Sequence, residues 1–448
     1  KVALVEGRLL GGDCLNVGCV PSKCIIRSSR AAADVRSASK FGVRVGGEAE
    51  VDFSAVMERM RRIRAQISEH DSARRFQELG IDVFFGEARF AGPEAVEVGT
   101  KTLRFTKAVI TTGARPVLPQ VEGLAEAGFL TNETVFSLTE RPGHIVFIGG
   151  GPLGCELAQA FCRLGCDVTI IERGGQFLYR EDSDASAILA KALERDGVNV
   201  LLGVSLEKVT VAGNKKTVHI RQAGKEEAIE ADEIFVATGR APVVGGLNLE
   251  AAGVVYDDRK GVMVNDKLQT SNKRIYAAGD VCSRFKFTHT ADAMARIVIQ
   301  NTLFGGRKKV SALTIPWCTY TDPEVAHVGM YEKDAEEKGI AVDTFLVPMG
   351  EVDRALCDGE QEGFVKIHTR KGSDKIVGAT IVARHAGEMI SEISVAIVGN
   401  VGLGTISAVI HPYPTQAEAI RRAGDTYNRT RLTPFVKKLF TRWLAWRR

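Results

Sequence analysis

The sequence predicts an α/β protein with two regions built on parallel βαβ units and a separate C-terminal α+β region. A complete unit lies between His144 and Arg173, where an apolar strand, a glycine turn, a helix and the strand "DVTIIE" follow one another. The opening segment "KVALVE" matches this last strand, and "KAVITTGARP" (107–116) is echoed by "EIFVATGRAP" (233–242). Such doubled patterns are typical of two Rossmann-like, dinucleotide-binding domains in one chain.

The chain opens where the second strand of a βαβ unit is expected, because Glu6 in "KVALVE" falls where Glu172 falls in "DVTIIE". We therefore expect the first strand, glycine loop and helix of the N-terminal unit to be missing from this sequence. After about residue 315 the pattern changes to alternating strand-like runs and a helix near 385–399, which predicts the α+β domain. The expected domains are 1–140 with 244–314, 141–243, and 315–448.

Composition narrows the functional classes. The chain has 448 residues, of which 45% are hydrophobic, and a net charge of +4, which gives no reason to expect a nucleic-acid partner. The sequence has neither an apolar run long enough to span a membrane nor a secretory signal, so we expect a cytoplasmic protein. Nine cysteines in a chain of this length do not resemble a secreted disulfide scaffold. Two close cysteines in a reducing compartment instead indicate redox or metal chemistry.

The glycine turn of the complete unit reads "GGGPLG" and has the spacing G-x-G-x-x-G. In that spacing Gly149 permits the tight turn, Gly151 lets a pyrophosphate approach the backbone, and Gly154 lets the helix pack on the strand. The pyrophosphate would then meet the N-terminal end of the helix. The turn follows a strand, opens a helix and precedes an acidic residue at a strand end by about twenty residues, so we expect a bound dinucleotide.

That acidic residue, Glu172, would accept hydrogen bonds from a ribose 2′-hydroxyl and repel a 2′-phosphate, which favours NADH. Arg173 and Arg180 are close enough in sequence to weaken this preference. NADH is therefore the expected electron donor, and NADPH is the alternative.

The stretch "GGDCLNVGCVPSK" places Cys14 and Cys19 five positions apart, with Lys23 just behind them. Zinc sites usually need a second pair of ligands, and the sequence offers none, so we expect no metal site. A disulfide between these cysteines would close a very short loop and add little stability, which suits turnover better than structure. Pro21 pre-sets the first turn of a helix, so the helix dipole and Lys23 would favour the thiolate of Cys19.

"TSNKRIYAAGDVC" (270–282) places Asp280 after a short strand and a glycine. A buried carboxylate at this point could bind the hydroxyl groups of a sugar chain. Taken by itself, the stretch is also compatible with an ordinary turn aspartate, which is the commoner case.

Together these motifs resemble the class I pyridine nucleotide–disulfide oxidoreductases, a family that includes dihydrolipoamide dehydrogenase, glutathione reductase and mercuric reductase. The resemblance rests on the cysteine stretch, "GGGPLGCE", "VATGRAP", "YAAGDV", "YTDPEVAHVG" and "HPYPTQAE", in this order along nearly the whole chain. It implies FAD in the discontinuous first domain, NAD(P)H in the second, and a homodimer formed through the last.

The resemblance also implies individual roles. Glu6 would bind the FAD ribose and Asp280 the ribityl chain, while Lys23 would lie near the flavin N5 and pair with Glu156. Cys19 would be the thiol next to the flavin, and Cys14 the thiol that exchanges with the electron acceptor. Further cofactor contacts are expected at Thr112, Gly113, Ala114, Gly239 and His289.

The end of the chain bears on the acceptor. Dihydrolipoamide dehydrogenases and glutathione reductases carry an acid–base histidine five residues before a glutamate, whereas "YPTQAE" has Tyr413 there and keeps Glu418. A tyrosine with a pKa near 10 cannot shuttle protons at neutral pH as imidazole does. Mercuric reductases also carry tyrosine at this position, and "EVDRALCDGEQEGFVK" (351–366) resembles them further. We therefore expect a mercuric reductase-like enzyme acting on a disulfide or a thiol-reactive metal ion, with a dihydrolipoamide dehydrogenase-like activity as the alternative.

Two features depart from the mercuric reductase pattern. Those enzymes end in a vicinal cysteine pair, which "FVKKLFTRWLAWRR" lacks, and the sequence does not place Cys282 or Cys357 to replace it. A second active-site tyrosine that is common in them corresponds to His289 here. His411 could serve as another acid–base group or, more commonly for such a histidine, as a capping or interface residue.

The segment from Arg429 to Arg448 contains seven basic residues and no acidic one, with apolar residues at helical spacing after Pro434. A basic amphipathic helix with tryptophans can lie on an anionic membrane surface, or it can pack on the dimer partner. This segment raises a third functional alternative, a membrane-associated flavoprotein redox sensor.

Overall fold

The computed structural model describes residues 1–46, 50–213 and 215–447; Arg448, counted above in the basic segment, lies outside the described residues. The chain packs into two compact units. Unit 1 comprises Lys1–Phe177 with Leu193–Leu313, and unit 2 comprises Leu178–Ala192 with Thr314–Arg448. The predicted division of the first 314 residues at positions 140 and 243 stays a prediction.

The strands of unit 1 are β1 Val2–Glu6, β2 Ile81–Phe85, β3 Ala88–Gly92, β4 Ala95–Val98, β5 Lys101–Arg104, β6 Ala108–Ile110, β7 Ala114–Pro116, β8 His144–Ile148, β9 Asp167–Glu172, β10 Asn199–Leu202, β11 Val204–Ala212, β12 Lys215–Gln222, β13 Lys225–Ala231, β14 Glu233–Val236, β15 Arg240–Pro242, β16 Tyr256–Asp257, β17 Gly261–Val262 and β18 Ile275–Ala277. Its helices are α1 Gly12–Val17, α2 Cys19–Ser37, α3 Phe53–Ser68, α4 Ala73–Glu78, α5 Leu124–Ala127, α6 Pro152–Arg163 and α8 Thr288–Leu303.

Unit 2 contains the strands β19 Pro316–Thr319, β20 Glu324–Gly329, β21 Val342–Pro348, β22 Phe364–Arg370 and β23 Ile376–Ala383. Its helices are α9 Glu332–Glu337, α10 Asp353–Asp358, α11 Ala386–Val398, α12 Leu403–Ala408, α13 Glu418–Thr430 and α14 Pro434–Trp446, together with most of α7 Ser183–Asp196. Within residues 1–46, 50–213 and 215–447, no helix is both long and apolar enough to cross a membrane.

The predicted βαβ unit is present as β8, α6 and β9. These strands belong to a parallel sheet in the order β10-β9-β8-β14, which is the 3-2-1-4 order of a Rossmann-like half. Phe147 on β8 packs against both Phe161 on α6 and Phe235 on β14, and all three side chains are fully buried. The strands read as continuous apolar runs because a parallel sheet is covered on both faces.

The two segments that echo each other in sequence meet in space. Their first strands, β6 and β14, lie in different parallel pairings, with β18 and with β8. The strands that follow each Thr-Gly turn, β7 and β15, pair antiparallel with each other, so that Pro116 faces Arg240 and Ala114 faces Pro242. The repeat in the sequence therefore corresponds to two turns brought side by side.

Unit 2 is built on an antiparallel sheet in the order β19-β20-β23-β22-β21. Helix α11 packs on β20 and β23, and α13 packs on β21 and β22. The predicted helix near 385–399 is observed at Ala386–Val398. The predicted α/β class with a C-terminal α+β region is confirmed.

The sequence did not indicate that residues 178–192 pack with the C-terminal sheet. Glu181 in this segment accepts hydrogen bonds from Trp317 Nε1 at 2.7 Å and from the Tyr331 hydroxyl. Lys366 Nζ lies 2.9 Å from an Asp182 carboxylate oxygen. Burial raises the pKa of Glu181, and the hydrogen bonds from Tyr331 and Trp317 oppose this shift. These donors therefore help to offset the cost of burying the carboxyl group inside the unit.

Candidate active site

The cysteine stretch forms two helices that meet at Gly18. Cys14 lies on the short α1, and Cys19 is the first residue of α2. Gly18 between them has φ −139° and ψ −110°, and a Cβ atom there would lie 2.9 Å from the Asp13 carbonyl oxygen. The helix start predicted at Cys19 is observed, and the structure adds the short helix that carries Cys14. The five-residue spacing fits no single helix face because the chain changes helix between the two cysteines.

Both cysteines are free thiols, and their sulfur atoms are hydrogen bonded to each other. That bond, the Thr288 hydroxyl 3.4 Å from Cys19 Sγ and the charge of Lys23 together lower the pKa of Cys19 to about 6. The same bond, followed by burial, raises the pKa of Cys14 above its ordinary value. Cys19 is therefore the thiolate of the pair at neutral pH, which is the nucleophilic and metal-binding form.

Alkylation of Cys19 by iodoacetamide is expected to reach half its maximal rate near pH 6, because the thiolate forms above its pKa of about 6. Thr288→Val removes one hydrogen bond to the sulfur, so the midpoint should move to higher pH. Mass spectrometry of the Cys19 peptide reports the rate. Cys162, whose pKa burial raises to about 11, serves as an internal control that stays unlabelled below pH 8. A midpoint near pH 9 for Cys19, or an unchanged midpoint in the variant, would contradict this assignment.

Lys23 and Glu156 join the cysteine helix α2 to the helix α6. Lys23 Nζ lies 2.7 Å from Glu156 Oε2, and the side chains are 38% and 5% exposed. This is the contact that the family resemblance implies. A carboxylate this buried needs a cation or several donors nearby, so the pair holds the lysine where its charge acts on Cys19.

A second charged group lies beside Asp280. The Arg240 guanidinium contacts Asp13 and donates to the Ala114 carbonyl oxygen at 2.5 Å, and its Nε is 3.7 Å from Asp280 Oδ2. Burial raises the pKa of Asp280, and Arg240 opposes that shift. Sequence reasoning did not single out Arg240, although it directly follows Gly239 in "VATGRAP". Arg240 therefore connects the turn that contains Gly239 to Asp13, the residue before Cys14.

The start of α8 lies next to the cysteines. Thr288, its first residue, contacts Cys19, and the His289 ring stacks on Phe287 with centroids 5.3 Å apart. Thr290 is 1% exposed, and within the described residues its hydroxyl has no hydrogen-bond partner. A half-buried carboxylate at Asp280, this hydroxyl and the N-terminal end of a sixteen-residue helix fit FAD, which offers ribityl hydroxyl groups and electron-rich ring atoms.

The other residues predicted to contact a cofactor lie at the ends of strands or in the turns between them. Gly113 has φ +72° and Gly239 φ +122°, and open space surrounds the Cβ position of each. Thr112 donates to the Val243 carbonyl oxygen at 2.6 Å, Ala114 is buried beside it, and Glu6 accepts from the Arg8 amide at 2.7 Å. These glycines leave room for a ligand close to the backbone, while the roles of the individual side chains stay predictions.

The glycine loop of the βαβ unit has a geometry compatible with the three predicted roles, while the contact with a pyrophosphate stays a prediction. Gly149 has φ +109°, and Gly154 brings α6 so close to the strand that a Cβ would lie 2.1 Å from the Gly149 carbonyl oxygen. No atom lies within 4 Å of a Cβ placed on Gly151. Helix α6 begins immediately afterwards, with Pro152 in its first turn. The open side of Gly151 at a helix N-terminus fits a pyrophosphate.

Glu172 holds this loop in place. Its two carboxylate oxygens accept hydrogen bonds from the amides of Gly150 and Gly174, each at 2.7 Å. We predicted a ribose as the partner of Glu172, and the structure adds two backbone partners within the protein. Each carboxylate oxygen has a second lone pair that can still accept a hydrogen bond from a ribose hydroxyl group.

Alanine at Gly151 and at Gly154 is expected to have different effects. Gly151→Ala should leave the urea midpoint almost unchanged and weaken nicotinamide nucleotide binding about tenfold or more, because its methyl group occupies the open side of the loop. Gly154→Ala should lower the free energy of unfolding by about 1–3 kcal/mol, because the methyl group meets the Gly149 carbonyl. Calorimetric titration with NADH and urea unfolding separate the two effects. Equal loss of stability in both variants would contradict the assigned roles.

Tyr413 and Glu418 lie in unit 2 but do not pair. The Tyr413 hydroxyl donates to Asp353 Oδ2 at 3.0 Å, and this bond raises the pKa of Tyr413. Glu418 is buried and instead pairs through one oxygen with Arg421 at 3.0 Å and Arg422 at 3.2 Å. Sequence reasoning missed Asp353, which lies sixty positions before Tyr413. The tyrosine therefore stays a phenol at neutral pH and is oriented by Asp353, not by the retained glutamate.

His411 has a partner at each ring nitrogen. Nε2 lies 2.9 Å from Glu392 Oε1, and Nδ1 lies 3.0 Å from the Val409 carbonyl oxygen. These contacts favour the interpretation of His411 as a packing residue over the acid–base alternative. In the part of the chain that the structure describes, no group of three or more His, Cys, Asp or Glu side chains could hold a metal ion.

Known proteins match this chain along most of its length. A family model for pyridine nucleotide-disulphide oxidoreductases matches residues 1–295, and a model for the dimerisation domain of the same family matches 315–424. The mercuric reductase of Lysinibacillus sphaericus is 34% identical over 432 residues, which cover 96% of this chain and 78% of the relative. The dihydrolipoyl dehydrogenase of Mycoplasma pneumoniae is 32% identical over 429 residues, covering 94% and 92%. The solved structure of the HOCl-induced flavoprotein disulfide reductase RclA from Escherichia coli aligns with a TM-score of 0.84 and 26% identity, covering 95% and 94%.

Proposed function

Since the chain belongs to the pyridine nucleotide-disulphide oxidoreductase family, we propose that it passes electrons from NAD(P)H through Cys14 and Cys19 to a thiol-reactive metal ion, as a mercuric reductase does. The family and the relatives are flavoprotein disulfide oxidoreductases that use FAD and NAD(P)H. The observation that carries the proposal is the sulfur pair, in which Cys19 has a pKa of about 6 beside Cys14 and Lys23. Thiolates are the preferred ligands of soft metal ions.

The residues that would hold the cofactors are those described above. Lys23, Asp280 and the start of α8 fit FAD, and the loop around Gly151 with Glu172 fits the nicotinamide nucleotide. FAD, when bound, supplies the electron transfer between the nucleotide and the cysteines. The protein contributes the position of the sulfur atoms and the charge of Lys23, which stabilises the Cys19 thiolate. NADH remains the expected donor.

Proton balance favours a metal ion over a disulfide as the acceptor. Reduction of Hg(II) by NAD(P)H gives Hg(0), NAD(P)⁺ and one proton, so no acceptor sulfur has to be protonated. Reduction of a disulfide releases a thiolate that needs a proton from a nearby acid. Tyr413 stands where relatives that act on disulfides carry a histidine, and its pKa is raised by Asp353. A phenol of this kind does not exchange protons readily at neutral pH.

Turnover with different acceptors tests the proposal. With excess low-molecular-weight thiol present, Hg(II) should support NADH or NADPH oxidation together with release of Hg(0), measured as mercury vapour. Lipoamide and glutathione disulfide should be reduced much more slowly at neutral pH. Faster reduction of lipoamide than of Hg(II) would favour the dihydrolipoamide dehydrogenase-like alternative, which the Mycoplasma relative keeps open.

Three further expectations from the sequence have unequal support. The match to the dimerisation domain over residues 315–424 supports a homodimer. None of the comparisons supports a membrane-associated redox sensor as the function of this chain. Cytoplasmic localisation stays a prediction.

A further inference from the structure

Helix α14 (Pro434–Trp446) of unit 2 has no role in the proposed reaction. No residue of this helix is buried. Phe435 and Trp446 are 75% and 82% exposed, which is unusual for side chains of this size. The Thr433 hydroxyl accepts from the Val436 amide, so the helix has a defined start and is separated from α13.

The side chains of α14 divide into two opposite faces. At about 100° per residue, the apolar side chains fall within an arc of about 180°. They are Phe435, Val436, Leu439, Phe440, Trp443, Leu444 and Trp446. Lys437, Lys438 and Arg442 fall on the opposite arc, with Lys437 and Arg442 next to its two edges. The helix therefore presents an uninterrupted apolar half bordered on both sides by cations.

The charge of this segment has one sign. Residues 429 to 448 contain seven basic residues and no acidic one. The Arg447 guanidinium lies over the Trp443 ring at 4.9 Å from its centroid, which brings a cation to the end of the apolar face as well. Such a surface is complementary to a partner that is apolar in its interior and anionic at its edge.

We propose that α14 binds the surface of an anionic lipid bilayer, lying in the interface with its apolar half toward the acyl chains. A helix of thirteen residues is about 20 Å long, too short to cross a hydrocarbon core of about 30 Å. Tryptophan is favoured at the headgroup level, and flanking lysine and arginine side chains reach lipid phosphates. Two copies of this helix packed face to face would bring like charges together along their edges, because residues 429 to 448 carry basic but no acidic side chains, which disfavours a second copy of α14 as the occupant.

Co-sedimentation of the full chain with phospholipid vesicles tests this proposal. Vesicles that contain phosphatidylglycerol should pellet the protein, whereas pure phosphatidylcholine vesicles should pellet little, and binding should weaken as salt increases. Lys437→Glu/Lys438→Glu/Arg442→Glu should lower the partition coefficient about 100-fold or more, because each removed cation accounts for several-fold. Trp443→Ser/Trp446→Ser should weaken binding to a similar extent through the apolar face.

A matched control alters the same charge elsewhere. The control variant is Lys308→Glu/Lys338→Glu/Lys371→Glu. These three lysines lie outside α14 and are exposed, and no partner of their side chains is found among the described residues. The partition coefficient of this variant on anionic vesicles should stay within about threefold of that of the unaltered chain, once the effect of the lower net positive charge is subtracted. Circular dichroism melting checks that all variants remain folded.

Three outcomes would overturn the proposal. Equal binding to neutral and anionic vesicles would remove the role of charge, and equal loss in the control and α14 variants would remove the role of this helix. If the tryptophan variant dissociates the dimer in sedimentation equilibrium and leaves vesicle binding unchanged, a second copy of the chain covers the helix. None of these results bears on mercury reduction, so the two proposals fail separately.

Discussion

Replacing Cys14 with alanine is expected to lower turnover of the preferred acceptor by about 10³-fold or more, since loss of a reacting thiol removes the exchange step itself. The same change removes the first and largest cause of the low pKa of Cys19, the hydrogen bond from Cys14. The pKa of Cys19 should therefore rise from about 6. The pH profile of Cys19 alkylation measures this rise without any cofactor or acceptor present.

Cys162→Ala is the matched control for that experiment. Cys162 lies on α6 and donates to the Asp196 carbonyl oxygen at 3.2 Å, and burial raises its pKa to about 11. Its replacement should leave both the turnover and the Cys19 profile unchanged. If the Cys14 variant kept full turnover with its best acceptor, electrons would have to leave the protein without passing through the cysteine pair.

Lys23→Met is expected to lower the free energy of unfolding by about 2–3 kcal/mol, because it removes the cation from the buried Glu156 carboxylate. Methionine keeps most of the length of the lysine side chain, so lost packing contributes little. Lys23 is 38% exposed, which lets water reach the site and keeps the loss below that of a fully buried pair. Urea unfolding at neutral pH measures the change.

The double variant Lys23→Met/Glu156→Gln serves as the control. It removes the buried charge as well as its partner, and should recover at least half of the stability lost by Lys23→Met alone. If the single and double variants were equally unstable at neutral pH, the cost would come from packing around Lys23 and not from the ion pair.

The elements whose pattern is local along the chain could be predicted from the sequence. A strand, a glycine turn and a helix follow each other within residues 144–163, and Gly149 and Gly154 have the positive φ and the close helix–strand packing that their positions in the motif indicate. The helix start at Cys19 also follows from local features, because Pro21 lies in its first turn. The short α1 was missed, since six residues with two polar side chains give no helical period to detect.

Contacts between distant segments could not be predicted in this way. Arg240 reaches Asp13 across more than two hundred positions, and Asp353 orients Tyr413 across sixty. Nothing in the sequence of residues 178–192 indicates that Glu181 accepts hydrogen bonds from Trp317 and Tyr331. The two donors and this acceptor come together only when the sheet of unit 2 forms. The family resemblance supplies the identity of such residues only where a motif covers them.

The two hydrogen bonds that Glu172 accepts from Gly150 and Gly174 have a consequence for changing the preferred nucleotide. The carboxylate that would repel a 2′-phosphate also links the glycine loop, through Gly150, to the turn after β9, through Gly174. Replacing it by a neutral or basic residue, the simplest way to admit NADPH, would leave two amides without their acceptor. Redirecting this protein toward the other coenzyme, by engineering or in evolution, therefore requires at least one compensating substitution that fastens the loop by other means.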